Sequence, residues 1–382
     1  LNMFDEDFLK YLSTSRFSGS IYAIPEGTVM FPREPFIKRY RTDHGAQLVE
    51  TAILNILNHQ SLIATKAARV CYAAQNDGVM EFGLRRAQGP DSGIYGARAA
   101  VIGGCCGTSN VLAGQIFNIP VKGTHAHSWI MSFPDEYTAF KTYAELYPNA
   151  CILLVDTYDT LKSGVPNAIR VFQEMKDAGV KLHNYGIRMD SGDLAYLSKK
   201  VRQMLDTAGF PDAIISASND LDEYLIETLK IQGAKITSWG VGTSLITSRD
   251  CPAFGGVYKL AAIRNEDGHF TPKIKLSENT EKVTNPGNKE IYRIYDKETG
   301  KIRADLICLA NKPLMKTKTW YSLIRMRHGN ALVSSVALTL CGNFWFRSLK
   351  KENVYTLLRV LWKSSPSVHR KKLHYGMKIC VS

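Results

Sequence analysis

The eight cysteines form no CxxC pair and no spacing that would ligate a metal, so neither a zinc module nor a dithiol redox motif is encoded. Cys105 and Cys106 are neighbours, and the expectation is reduced thiols in a cytoplasmic protein. No apolar run is long enough to span a bilayer: the stretch 331–340 is too short and too polar, and no secretory hydrophobic segment opens the sequence as given. A membrane partner is therefore not expected. There is no internal repeat, no low-complexity linker, and no RNP, KH or helix-turn-helix pattern. The last absence bears on the net charge of +13. Residues 314–382 hold 13 of the 48 basic side chains and one of the 35 acidic ones (Glu352), a balance of +12, which leaves +1 for everything before them. A neutral body with a basic tail argues against nucleic acid as the partner.

The 382 residues, 45% hydrophobic and 22% charged, have the composition of an ordinary globular protein with room for two domains, or for one α/β barrel with additions. Residues 4–40 read as a small β-rich piece in which 21–24 and 28–31 flank the turn Pro25-Glu26-Gly27. From 48 to 74 apolar side chains recur at helical spacing with no proline or glycine, which predicts one long helix or two broken ones. Near 81–90, Arg85 and Arg86 end a strand-like segment. Such a pair is usually solvated, yet two fixed guanidiniums beside glycines also suit a phosphate.

Beyond this point the chain alternates. Strand-like runs at 121, 150–155, 186–189, 213–217, 238–241 and 257–263 are separated by helical patterns at 137–147, 166–178, 192–208 and 222–232. Short hydrophobic strands alternating with amphipathic helices predict a parallel sheet of βα units, and their number fits a barrel better than an open sheet. The segments expected are 1–45 (part of an N-terminal domain), 46–120 (helical connection and start of the barrel), 121–313 (barrel with its active-site loops) and 314–382 (basic tail).

Polar motifs follow the C-terminal ends of these strands: Asp156-Thr157-Tyr158-Asp159, Asp190-Ser191-Gly192-Asp193, Ser218-Asn219-Asp220 and Gly242-Thr243-Ser244. Each alone reads as a helix N-cap. Four in succession, one preceded by Arg188, fit the loops that build a barrel's active site. For a phosphorylated sugar, Gly242, Thr243 and Ser244 can cradle a monophosphate. Asp156, Asp190 or Asp193 can hold Mg²⁺ or accept ribose hydroxyls, and Arg188 can pair with a carboxylate or phosphate. Upstream, Gly123-Thr124-His125-Ala126-His127-Ser128-Trp129 places two imidazoles among small residues, a setting for proton or phosphoryl exchange with an anionic ligand.

The ordered strings Phe82-Gly-Leu-Arg-Arg-Ala-Gln-Gly-Pro90, Gly107-Thr-Ser-Asn-Val-Leu-Ala-Gly114, Gly123-Thr-x-Ala-His-Ser128, Val155-Asp-Thr-Tyr-Asp-Thr-Leu-x-Ser-Gly-Val-Pro166, Gly186-Ile-Arg-Met-Asp-Ser-Gly-Asp-Leu194, Gly240-Val-Gly-Thr-Ser244 and Gly255-Gly-Val-Tyr-Lys259 resemble those of the nicotinate phosphoribosyltransferases. The resemblance runs from about residue 4 to about 311. It implies a type II phosphoribosyltransferase fold: an irregular α/β barrel plus a mixed α/β domain made from both chain ends, acting as a homodimer. The implied reaction joins nicotinate and phosphoribosyl pyrophosphate to give nicotinate mononucleotide and pyrophosphate, with ATP hydrolysed alongside and Mg²⁺ present.

The same resemblance makes His127 the phosphorylated histidine, places Thr124 by nicotinate, pairs Arg188 with its carboxylate and assigns Thr243 to the phosphoribosyl site. His125 stands where the family motif is variable and receives no catalytic role. With Asp156 and Asp190 as further catalytic groups and Mg²⁺-ligand candidates, the remaining substrate-binding candidates are Arg85, Arg86, Ser191, Gly192, Asp193, Ser218, Asn219 and Gly242. Nicotinamide phosphoribosyltransferase is the runner-up, behind because the Gly123–Ser128 and Ile187–Asp190 strings look like the nicotinate branch. From another class comes a catalytically impaired, truncated product, and weaker still a nucleic-acid binder using the tail.

Two departures from the family pattern are expected to matter. The sequence starts at Leu1, partway through the family's N-terminal domain, without its Thr-Asp-Leu-Tyr segment. The tail also loses the pattern where its charge changes. Codons for residues 321–331 can be chosen so that, read two bases later, they spell Phe-Phe-Asp-Pro-Asp-Ala-Thr-Trp-Lys-Arg, the stretch the family has there. The reading is a frameshifted, disordered tail and weak or absent activity.

Overall fold

The structure is a computed structural model that describes residues 3–14, 19–40, 45–278, 283–296, 299–310, 338–341 and 346–350. Two compact units divide the chain: Leu1–Leu54 with Val257–Ser382, and Asn55–Gly256. The first therefore draws on both chain ends, and the parallel sheet lies wholly within the second.

The chain opens with α1 (Glu6–Thr14), β1 (Ser20–Ala23), β2 (Ile37–Tyr40) and α2 (Gly45–Leu48). β1 pairs antiparallel with β2, Ser20 opposite Tyr40. The expected strand at 28–31 does not form. Pro32 and Pro35 follow it and have no N–H to give to a ladder. The helical stretch is one element, α3 (Glu50–Ala74), whose stripe Ile63, Ala67, Val70 and Ala74 is buried.

In the second unit follow β3 (Gly78–Glu81), a single turn Leu84–Arg86, α4 (Pro90–Ile102), β4 (Gly107–Thr108), α5 (Val111–Phe117), α6 (His127–Met131), α7 (Glu136–Leu146) and β5 (Cys151–Leu154). Next come α8 (Val165–Asp177), β6 (Tyr185–Met189), α9 (Leu194–Thr207), β7 (Ile214–Ala217), α10 (Glu223–Ile231), β8 (Ser238–Val241) and α11 (Thr243–Ile246). The strands form one parallel sheet in the order β4-β3-β8-β7-β6-β5, curled into part of a barrel. Val121 adds a parallel bridge to Thr108 beyond β4.

The strands read as hydrophobic runs because both faces are covered: Leu153, Leu154, Ile187, Met189 and Trp239 are fully buried. Each such side chain contributes about 1.5–3 kcal/mol by leaving water. At Gly186 the backbone is at φ 157°, and a Cβ there would collide with the Ile214 carbonyl of β7, so the β6–β7 pairing needs glycine. α7, α9 and α10 begin on Asp135, Asp193 and Asp222, whose carboxylates accept N–H bonds from Thr138, Tyr196 and Leu225.

The first unit resumes with β9 (Ala262–Arg264), β10 (Phe270–Pro272), β11 (Lys289–Asp296) and β12 (Ile302–Leu309). β9 pairs antiparallel with β10, so 257–263 supplies no barrel strand, contrary to the alternation read from its apolar residues. Arg293 and Asp305 make a buried pair at 2.6 Å between β11 and β12. Two pieces of the tail, β13 (Leu338–Cys341) and β14 (Phe346–Lys350), pair antiparallel with β11 and β1. They depart from the expectation of a wholly disordered tail. The rest of 314–382, on which the frameshift reading also falls, lies outside the described residues. Among the described residues no helix is long and apolar enough to cross a membrane.

Candidate active site

Of the polar groups expected at the C-terminal strand ends, Asp156, Asp190, Ser191 and Ser218 converge, with Arg188 as their hub. It lies on β6 between buried Ile187 and Met189, and its own side chain is 17% exposed. Its Nε donates to Ser218 Oγ at 2.8 Å, Nη1 to Thr124 Oγ1 at 2.7 Å, and Nη2 to Asp190 Oδ1 at 3.1 Å. The guanidinium carbon sits 5.8 Å from the centre of the Phe82 ring. Phe82 follows β3, donates its N–H to Val241 at 2.8 Å, and fits because residue 240 is glycine: a Cβ there would stand 2.6 Å from the ring.

Beneath this turn Glu81 is fully buried, accepting from Thr108 Oγ1 and from the Gly83 N–H. Burial raises its carboxyl above the usual range, against the lowering effect of those two bonds.

Asp156, at the end of β5, is spent on protein partners. Oδ1 faces His127 Nε2 at 3.2 Å, and Oδ2 accepts from the Asp190 N–H at 2.8 Å and from Ser191 Oγ at 2.6 Å. Asp156 is 2% exposed and His127 40%. A carboxylate accepts, so the His127 nitrogen beside it is the N–H donor, and the lone pair of the neutral ring lies on Nδ1. One hydrogen-bonded path thus runs from Thr124 through Arg188, Asp190 and Asp156 to His127. Ser218 also donates to Asp190 Oδ1.

The second imidazole of the motif points elsewhere. His125 is 8% exposed, stands edge-on to Tyr143 at 4.6 Å between ring centres, and its Nε2 accepts the backbone N–H of Leu154 at 3.2 Å. Burial, foremost, holds its pKa down to about 4.

Other candidates fare differently. Asp193 is exposed and caps α9, the plain reading of its type. Gly192, at φ 79°, makes the turn before it. Asn219, at φ 127°, accepts the N–H of Asp220 and is exposed. Gly242 and Thr243 are half-buried beside Phe82, a Cβ on Gly242 standing 3.3 Å from the Phe82 carbonyl oxygen. Arg85 and Arg86 lie exposed on the turn after Phe82 and are not drawn into the Arg188 cluster.

Among the described residues no group of three or more His, Cys, Asp or Glu is placed to hold a metal ion. Asp156 does not fit the Mg²⁺ role, since its oxygens already serve His127, Asp190 and Ser191. Asp190 receives its donors on Oδ1, and among the described residues none reaches Oδ2, so its lining would fit a single contact to a cation. Residue types alone did not mark Phe82 and did not separate the surroundings of His125 from those of His127. Both sit inside the quoted motifs, but nothing in the spacing says which way a side chain turns.

Comparison with known proteins agrees with this architecture. The pattern of the nicotinate phosphoribosyltransferase (NAPRTase) N-terminal domain matches residues 1–58, and that of the NAPRTase family matches 78–296. The nicotinate phosphoribosyltransferase of Bacillus subtilis is 53% identical over 325 residues, 85% of this chain and 64% of the relative. The human protein of that name is 32% identical, with 77% of this chain and 63% of the relative covered. The chain therefore spans less than two thirds of the length of these relatives. Human nicotinic acid phosphoribosyltransferase superposes with a TM-score of 0.71 at 26% identity, over 97% of this chain and 81% of that one. A nicotinate-nucleotide pyrophosphorylase from Pyrococcus furiosus gives 0.61 at 27% identity, over 90% and 79%. A curled parallel barrel with an Arg-Asp-Asp-His path at its strand ends, matched across both family patterns, places the chain in the nicotinate phosphoribosyltransferase family.

Proposed function

We propose that the protein transfers the phosphoribosyl group of phosphoribosyl pyrophosphate to nicotinate, yielding nicotinate mononucleotide and pyrophosphate, with ATP hydrolysed to ADP and phosphate through a phosphohistidine at His127. The observation that carries this reading is the path from Thr124 and Arg188 through Asp190 and Asp156 to His127. Its first end is equipped for a carboxylate: Nη groups of Arg188 and the Thr124 hydroxyl lie together against an aromatic face. The other end is equipped for phosphoryl transfer: Asp156 fixes the Nε2–H tautomer and balances the charge that grows on the ring as Nδ1 attacks.

In the first step the N–P bond to Nδ1 forms as the bond from the γ-phosphorus to the ADP oxygen breaks; hydrolysis later releases phosphate and restores the imidazole. In the glycosyl transfer the pyridine nitrogen attacks C1′ as pyrophosphate leaves. Asp190 is the carboxylate assigned to stabilise a cation-like ribose, and Gly242 and Thr243 are the residues offered to the 5′-phosphate. Mg²⁺, when it accompanies the substrate, neutralises charge on the departing pyrophosphate. Phosphorylation at one end of the path and nicotinate at the other are linked by shared hydrogen bonds, the physical basis for coupling. A cytoplasmic homodimer without nucleic-acid or membrane partners completes the proposal.

The test is direct. The purified protein is given radiolabelled nicotinate or nicotinamide with phosphoribosyl pyrophosphate, Mg²⁺ and ATP. Nicotinate mononucleotide, with ADP formed alongside, is expected. A preference for nicotinamide, or no product while phosphoribosyl pyrophosphate still binds, overturns the reading.

A further inference from the structure

The curled sheet has two rims. On one, Val121 bridges Thr108 of β4. On the other, β5 pairs with β6 alone among the described strands. In that parallel pair Val155 gives its N–H to Arg188 of β6 at 3.1 Å, so the N–H of Leu154, one residue earlier, points away from β6 toward the open rim. Leu154 is fully buried, where water cannot serve an unpaired amide. The partner it finds is Nε2 of His125, at 3.2 Å.

Resting on the function proposed above, we infer that His125 is a positioning residue: its imidazole takes the place of the missing neighbouring strand at Leu154 and so fixes the loop that carries Thr124 and His127. Five observations meet here. The bond requires Nε2 to be bare, and burial keeps the ring neutral in that form. Its flanking residues are the two ends of the path, Thr124 on Arg188 and His127 on Asp156. The carbonyl of His125 itself lies 3.4 Å from Arg188 Nη1, so ring and backbone grip adjacent strands. Leu154 stands two residues before Asp156, so the tether is anchored on the strand that holds the phospho-acceptor's carboxylate. Tyr143 and Phe140 of α7 fix the ring from the side, at 4.6 and 6.3 Å between ring centres.

The experiment compares wild type with His125→Phe, which keeps the packing on Tyr143 and loses the acceptor, and with His125→Gln, whose Oε1 can reach where Nε2 was. Amide exchange at Leu154 is read on the free protein, and nicotinate KM, kcat and the ADP formed per nicotinate mononucleotide are read in turnover. His125→Phe is expected to speed exchange at Leu154 and to raise the nicotinate KM, each by about ten-fold, and to uncouple ATP hydrolysis, while His125→Gln restores all three. Unchanged protection at Leu154, or equal damage from both substitutions, overturns the inference and leaves a packing role.

Exchange at Leu154 does not depend on turnover, so a protein inactive on nicotinate would refute the proposed function without deciding this point. Should His125→Phe not fold, nitrogen NMR of the wild-type ring decides. Protonated Nδ1 with a hydrogen-bonded bare Nε2 supports the tether, and a protonated Nε2 refutes it.

Discussion

Replacing Arg188 by alanine tests whether the guanidinium reads the carboxylate of nicotinate. The side chain is only 17% exposed, so solvent screens its charge little. Truncating one partner of a buried, hydrogen-bonded charge pair costs about 2–5 kcal/mol, which is about 30-fold to about 5,000-fold in kcat/KM. The lower part of that range is expected here. Asp190 keeps Ser218 as a donor after the loss, so the carboxylate left behind is not wholly unpaired. Nicotinamide offers no charge to pair, so its own kcat/KM should fall far less.

The readout is therefore the ratio of the two substrates, measured by product formation under identical phosphoribosyl pyrophosphate and ATP. A general folding defect lowers both rates together and leaves the ratio alone. Thr124→Val, which removes the hydroxyl that accepts from Nη1 at 2.7 Å, should move the ratio the same way by about 1 kcal/mol, roughly five-fold. If Arg188→Ala keeps the full preference for nicotinate, the carboxylate is read elsewhere and the orientation of the path is wrong.

The other expectations are briefer. His127→Asn should abolish acid-labile phosphate on the protein and ATP stimulation while leaving slow transfer; in the wild type, phosphorus NMR should find the phosphate on Nδ1, and a phosphate on Nε2 would contradict the Asp156 contact. Between pH 6.5 and about 4 the unfolded chain binds a proton at His125 that the folded one refuses, so that contribution is complete above pH 6.5 and is lost as pH falls, to a limit of about 3 kcal/mol. Urea unfolding at pH 5 and 7 should show this slope in the wild type and a shallower one in His125→Phe. Lys66→Met should lower stability by about 3 kcal/mol in the same assay, because Lys66 lies buried at 2.7 Å from Glu223 and 2.5 Å from Asp250; no loss would mean that the cluster is already offset by its own desolvation.

The strands 150–155, 186–189, 213–217 and 238–241 were legible because burial on both faces makes them uninterrupted apolar runs, and their helices because one stripe alone is apolar. The same signal misleads at 257–263, where an apolar run of similar look joins an antiparallel pair in the other unit; a run records burial, not which sheet does the burying. β4 is two residues long and its pairing is set by β3, so nothing in its own composition announces it.

At the site, the carboxylates were legible as a group, but their division of labour was not. Asp193 caps a helix at the surface, Asp156 holds a histidine, and Asp190 pairs with Arg188 and Ser218, a distinction made by which donors the fold brings near each one. The two histidines are the sharpest case. By residue type they are equivalent, one on each side of Ala126, and only the family motif separates them. In space Ala126 is extended at φ −100° and ψ 167°, and His127 begins α6. That turn sends one imidazole outward to Asp156 and leaves the other buried against the amide of Leu154. Two residues apart, one imidazole thus faces a carboxylate and stays 40% exposed while the other commits its bare nitrogen to an open strand edge, and that edge is encoded by no local pattern.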